Sequence, residues 1–242
     1  MALRNIKITA EEKLFYENHF MDLGTESTIY QNSPNTVIKI WKDEMTTNAQ
    51  KENKKNKIIE LHKRNLKYIP SILSTYSLGD VCIGYEMSYN EKDLPMLVAP
   101  LDKNEKIKII KRMKDILMYF ASEEVIYPDI KNDNVLINPI TGNITFCDVD
   151  NSKVDGLPID LYPHYAKLFT DAYGQEDSLL HSYMLNLYTL TELTDTWQDE
   201  VIEGLTEDKY QEMFREKGKT ILKQMKKPTP AYRGEYLIDY IK

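Results

Sequence analysis

The chain has 242 residues, enough for one large domain or two small lobes around a sizeable core. Its hydrophobic fraction of 42% and charged fraction of 29% are those of an ordinary globular protein. The net charge of −7 argues against a nucleic-acid surface, because phosphate backbones attract basic faces.

The N-terminal segment MALRNIKITAEEKLFYENHF has no sustained apolar stretch, so no signal peptide is expected there. No run approaches the roughly 20 apolar residues that cross a bilayer, and the expected location is cytoplasmic. Cys82 and Cys147 show no disulfide or metal-ligand spacing and are expected as buried free thiols. The histidines His19, His62, His164 and His181 form no close cluster for a metal.

In chain order, residues 10–20 read as a short helix, followed by short β-like pieces broken by polar turns. The strongest strand is Thr36-Val37-Ile38-Lys39-Ile40-Trp41, rich in β-branched and aromatic residues. A very polar helix is expected over 46–66, then strands near 71–77 and 81–87. Over 104–122, Ile107, Ile110, Met113, Leu117 and Phe120 recur at three- and four-residue steps, the period of an amphipathic helix. Two short strands, Asn134–Asn138 and Asn143–Cys147, are joined by a turn at Thr141-Gly142. The stretch from 150 to about 175 reads as irregular, with helices expected at 177–193, 196–204 and 207–226. The β content thus sits in the first half and the helices in the second. That predicts an α+β fold, a sheet-based lobe followed by a helical lobe.

The segment Ile126-Tyr127-Pro128-Asp129-Ile130-Lys131-Asn132-Asp133-Asn134 reads as a polar loop feeding an apolar strand, and Asp148 follows the strand Ile144-Thr145-Phe146-Cys147. Phosphoryl transfer from ATP needs oxygen ligands for magnesium, a carboxylate to orient and deprotonate the attacking hydroxyl, and cations against the phosphoryl oxygens. Asp129 suits the base, Asn134 and Asp148 the metal, and Lys131 the cation beside the transferring group. A hairpin between Asn134 and Asp148 would return both to one place.

This segment resembles the D-x-x-x-x-N catalytic loop of the protein kinase superfamily, and Asp148-Val149-Asp150 is similar to its D-F-G element. Val37-Ile38-Lys39 resembles the V-A-I-K strand, which implies that Lys39 contacts the α- and β-phosphates. Leu23-Gly24-Thr25-Glu26-Ser27-Thr28-Ile29-Tyr30 stands where the glycine-rich loop belongs, with Gly24 as its remaining glycine. The resemblance covers about residues 20–195. It implies a two-lobed fold with a small β-rich lobe over about 1–88, a hinge over about 86–92 and a reduced helical lobe over about 93–242. It further implies ATP and Mg2+ as cofactors. Glu52, in preference to Glu60, is expected to orient Lys39 from the following helix. Glu86 and Met87 are expected to hydrogen-bond adenine through their backbone. An aspartate at the place of Asp177 braces the catalytic loop in the family.

The chain departs from the pattern at several points. Tyr127-Pro128 replace the usual His-Arg, the glycine loop is degenerate, no A-P-E follows, and Asp150 replaces the D-F-G glycine. Asp150 is open to two readings, a metal ligand or a turn cap, of which the turn cap is preferred. Lys131 two residues after Asp129 matches serine/threonine protein kinases, so a protein substrate is the leading expectation. A small-molecule kinase of the aminoglycoside or choline type, and an inactive module that keeps the fold, are the alternatives. The short C-terminal part brings the resemblance closest to compact bacterial or phage-type kinases. Lys219, Lys223, Lys226 and Lys227 mark a basic helix face, read first as a solvated surface and second as a docking patch for an acidic partner.

Overall fold

The structure, a computed structural model, describes residues 3–159, 177–194, 216–226 and 236–241. The helix expected at 196–204, the first part of that at 207–226 and most of the expected irregular stretch lie outside the described residues.

The fold is mixed α+β. Six strands form one sheet: β1 (Arg4–Ile8), β2 (Asp22–Leu23), β3 (Ser27–Ser33), β4 (Thr36–Trp41), β5 (Ile72–Leu78) and β6 (Val81–Ser88), in the order β1-β5-β6-β4-β3-β2. β1 runs parallel to β5 and the other neighbours are antiparallel. β1 had no sequence signal of its own, because Arg4-Asn5-Ile6-Lys7-Ile8 offers only two apolar residues. Its backbone is recruited by the open edge of β5. Helices α1 (Ala10–Asn18) and α2 (Asn48–Arg64) each begin at a capping box, Thr9 with Glu12 and Thr47 with Gln50. α2 ends at Asn65 in the left-handed conformation that asparagine tolerates.

Strand alternation sorts β4 into two faces. Ile38 and Ile40 pack with Ile8, Tyr76 and Ile83 in a core that Tyr16 and Tyr30 help to cover. Lys39 and Trp41 point the other way, beside Tyr85, which is the cross-strand neighbour of Lys39. β4 and β6 approach closely at this register. A Cβ on Gly84 would lie 2.0 Å from the Lys39 carbonyl oxygen. Glycine is therefore a steric requirement of the strand that carries Lys39.

The chain forms two compact units, Met1–Met96 with Val135–Asp160 and Leu97–Asn134 with Leu161–Lys242. The first also holds β7 (Leu94–Pro95), β9 (Val135–Ile137) and β10 (Ile144–Phe146), a small antiparallel sheet in the order β10-β9-β7, and a further short strand at Lys153–Val154. The expected turn is present: Gly142 has φ 68° and donates to the Asn138 carbonyl at 2.7 Å. In the second unit, α3 (Lys103–Ser122), followed by the short strand β8 (Val125–Ile126), buries Ile107, Ile110, Met113, Leu117 and Phe120, the stripe read from the sequence, and starts at the capping box Asp102/Glu105. α4 (Asp177–Thr194) packs against α3, where Lys106 meets Glu192 at 3.3 Å. α5 (Glu216–Lys226) is the last described helix, and a single turn at Leu237–Tyr240 is anchored by the Leu237 amide on the Asn186 side chain at 2.7 Å. No helix among the described residues is long and apolar enough to cross a membrane.

Gly84→Ala is expected to lower stability by about 1–3 kcal/mol, because backbone atoms of β4 must give way. A urea midpoint unchanged from wild type would contradict this packing.

Candidate functional site

Lys39 is buried at the centre of β4, so its charge must be met by acids brought from elsewhere. Its ammonium is paired with Asp148 and, at 2.5 Å, with Asp150. Asp148 stands just past β10 in a left-handed conformation, φ 59°, which short polar side chains adopt more readily than others. Its side chain keeps 28% of its surface exposed, whereas that of Asp150 keeps 0%. Asp150 receives four donors: Lys39 and, at 3.1 Å, the Tyr85 hydroxyl on one oxygen, then the Trp41 indole at 2.9 Å and Lys54 at 3.0 Å on the other. Lys54, fully buried on α2, also donates to Asn151 and, at 3.5 Å, to Glu26.

Burial alone would disfavour the charge on Lys39, but Asp148 and Asp150 outweigh it and raise its pKa well above the ordinary value. Burial likewise opposes the charge on Asp150, and Lys39 with Lys54 outweigh it and hold its pKa well below the usual carboxylate range. Tyr85 is pushed up by burial first and by Asp150 second, so its hydroxyl stays a donor.

Several expectations change here. Lys39 and Asp148 meet, as the family resemblance implied. Glu52 does not reach Lys39; it faces outward and pairs with Lys55 at 3.1 Å. Glu60 pairs with Lys63. The inward face of α2 carries lysines instead: Lys51, Lys54 and Lys57 are buried, and Lys51 pairs with Asp43. Their three-residue spacing was the available signal, masked by the polarity of the whole helix. Asp150 is no turn cap, since its carboxylate is enclosed by the four donors named above. For the same reason it has no surface left for a metal.

Glu86 and Met87 lie inside β6, flanked by β4 and β5 on its two edges, so their backbone groups face other strands rather than an open pocket. The Glu86 carboxylate accepts from Asn32 and Ser74, each at 2.8 Å. Beyond Ser88, the Tyr89 amide is also engaged, with the Asn35 carbonyl at 2.7 Å. The expected adenine contacts at these two residues are therefore corrected: the strand runs further than the sequence suggested. Gly24 lies exposed in the tight turn between β2 and β3, and its carbonyl accepts from Lys42 at 2.6 Å.

In the second unit, Asp129 gathers its loop. Lys131 approaches one carboxylate oxygen at 2.9 Å, and the Asn134 amide donates to the same oxygen at 2.7 Å and to the Asp129 carbonyl at 3.1 Å. The other carboxylate oxygen takes part in none of these bonds, nor does the Asn134 carbonyl oxygen. Upstream, the Tyr127 amide donates to Nε2 of His181 on α4 at 2.8 Å. His181, one helical turn after Asp177, thus holds this loop; the Asp177 side chain, expected as a brace, lies outside the described residues. Burial pushes the His181 imidazole down to about 4 from its ordinary 6.5, so it is neutral and its Nε2 is an acceptor.

No group of three or more His, Cys, Asp or Glu among the described residues is arranged to hold a metal. Asp148 in the first unit and the side-chain carbonyl of Asn134 in the second are each oxygen donors of the kind a magnesium ion takes. Cys82 is a buried thiol, and Cys147 is half-buried. On α5, Lys223 is exposed and Lys219 lies near Glu216 at 3.8 Å. The side chains of Lys226 and Lys227 lie outside the described residues. No known protein-family model matches the chain, and no curated protein does.

The neutral His181 ties stability to pH. A group whose pKa is lowered by folding supports the fold fully above its unfolded value of 6.5 and loses that support as the pH falls toward about 4. Between pH 7 and pH 5 the unfolding free energy is expected to fall by on the order of 2 kcal/mol. His181→Gln, whose amide oxygen still accepts from Tyr127, flattens that slope. Denaturation curves at pH 7, 6 and 5 measure it; a flat wild-type profile would contradict a neutral buried His181.

Proposed function

We propose that the chain is an ATP- and magnesium-dependent phosphotransferase of the two-lobed protein-kinase type, whose acceptor is a serine or threonine hydroxyl of a protein. The observation that carries this reading is the ion pair between Lys39 and Asp148, two residues far apart in sequence and singled out by separate motifs. A strand lysine whose charge is secured, next to a carboxylate with open surface, suits a polyphosphate with its cation. The loop of Asp129, Lys131 and Asn134 lends further support, because one carboxylate oxygen is fixed by two donors while the other stays outside that bonding.

In the proposed reaction, nucleotide and magnesium supply the phosphoryl group and most of the charge that offsets its oxygens. Lys39 neutralises oxygens of the α- and β-phosphates. Asp148 would offer magnesium a hard oxygen ligand, as would the side-chain carbonyl of Asn134. Asp129 orients the acceptor hydroxyl and takes its proton as the new O–P bond forms. The bond between the β-phosphate oxygen and the γ-phosphorus breaks, and the electron pair leaves with ADP. Lys131, held on Asp129, offsets charge on the phosphoryl oxygens in flight. Its position two residues after Asp129 favours a protein acceptor over a small molecule.

Incubation with γ-labelled ATP, magnesium and a cell lysate is expected to label serine or threonine residues of protein. Asp129→Ala and Asp148→Ala are expected to lower the rate by roughly 10²–10⁴-fold. Label found only on small molecules would transfer the chain to the small-molecule kinases. Nucleotide binding without transfer would make it a binding module, and wild-type turnover in Asp129→Ala would remove the assigned base.

A further inference from the structure

Asp150 has no counterpart in the roles assigned above, yet both of its carboxylate oxygens are engaged. Its two oxygens collect donors from three elements: Lys39 and Trp41 on β4, Tyr85 on β6 and Lys54 on α2. A surplus carboxylate buried without purpose would cost several kcal/mol in desolvation. Here each donor is itself held in place. Trp41 and Tyr85 are fully buried, with ring centroids 6.1 Å apart. Lys54 has further acceptors in Asn151 and Glu26.

We propose that Asp150 and Lys54 are positioning residues for Lys39, a charge-inverted link in which helix α2 offers a cation and the turn after β10 supplies the bridging carboxylate. The inference rests on the phosphotransferase reading. It follows from which groups reach the lysine. No acid of α2 does: Glu52 and Glu60 are paired with Lys55 and Lys63. The inward side of that helix is cationic, so it can act on Lys39 only through an anion between them. Asp150 is that anion, 2.5 Å from one ammonium and 3.0 Å from the other.

The two acids beside Lys39 then differ in kind. Asp148 keeps open surface, where a ligand cation can approach its carboxylate. Asp150 has none and stays with the lysine. Lys39 is thereby kept aimed when Asp148 turns to other work. Lys54, saturated by three acceptors, is not itself a phosphate contact; it fixes the far oxygen of Asp150 and so the near one.

The test is a double-mutant cycle on the full chain, with γ-phosphate transfer, ATP titration and thermal melting read for each variant. Lys54→Met, of similar length, is expected to melt cooperatively, to lower kcat roughly tenfold through lost aim, and to change the KM for ATP by less than about threefold. Asp150→Asn is expected to lower kcat by roughly a hundredfold. The double variant is expected to match Asp150→Asn alone, since Lys54 acts through that carboxylate. A purely structural role would instead lower the melting temperature and leave kcat of the folded fraction intact.

A folded Lys54→Met with wild-type kcat, or losses that multiply in the double variant, overturns the proposal. If Asp150→Asn does not melt cooperatively, the kcat and KM of Lys54→Met decide alone, with Lys54→Gln in its place should the methionine variant not fold. A wild-type chain that neither binds ATP nor transfers phosphate removes the phosphotransferase reading along with this one. Wild-type transfer with an unaffected Lys54→Met removes this one only.

Discussion

Lys39 and Lys54 share a buried space with Asp150, and the folded first unit must keep these charges in register. Each would be costly to bury alone, by several kcal/mol even after relaxation. Together they are mutually compensated: Asp150 is held anionic by two ammonium groups and two neutral donors, and Lys39 is held cationic by two carboxylates. Such a cluster is unforgiving of displacement, because removing one member leaves another buried and unmatched. It ties β4, β6, α2 and the turn after β10 to one point. The absence of a side chain at Gly84 serves the same end, by letting β6 press against the strand that delivers Lys39.

The second unit solves a similar problem with less charge. Asp129 is held by a single cation and an amide, and the loop leading to it hangs from a neutral imidazole. An aspartate at that brace would bring a further negative charge toward a loop that already carries Asp129. A neutral histidine accepts the same amide hydrogen without it. The cost is that the brace works only while the ring is unprotonated, which makes burial of His181 part of how the loop is held.

Much of this was legible beforehand. The period of apolar residues in α3, the β-branched run of β4 and the turn at Gly142 are local signals, and the elements appear where those signals stand. Asp129, Asn134 and Asp148 are marked by type and spacing, and Lys39 by its resemblance to a family motif. The misses share a cause. Glu52 is expected inward from its seven-residue offset to Ile59, and Glu86 and Met87 at a hinge from resemblance, but Glu52 is turned outward by the register of α2, and β6 continues to Ser88 with partners on both edges. Nothing in the sequence marks Lys54 or His181, because one more lysine in a polar helix, or one histidine in an apolar one, is unremarkable until its partner is in place.

The sequence by itself determined most of the described helices and strands and picked out the polar residues of the candidate site, since local elements follow from short-range periodicity and the candidates from residue type and resemblance. Only the tertiary structure decided which acid answers which lysine. An ion pair depends on side-chain reach and burial between residues distant in the chain, and those are products of packing. Asp150 could be read as a metal ligand or a turn residue for as long as Lys39, Trp41, Lys54 and Tyr85 were merely names elsewhere in the sequence. Folding brings their four donors within hydrogen-bonding distance, and that leaves its carboxylate a single role in the first unit.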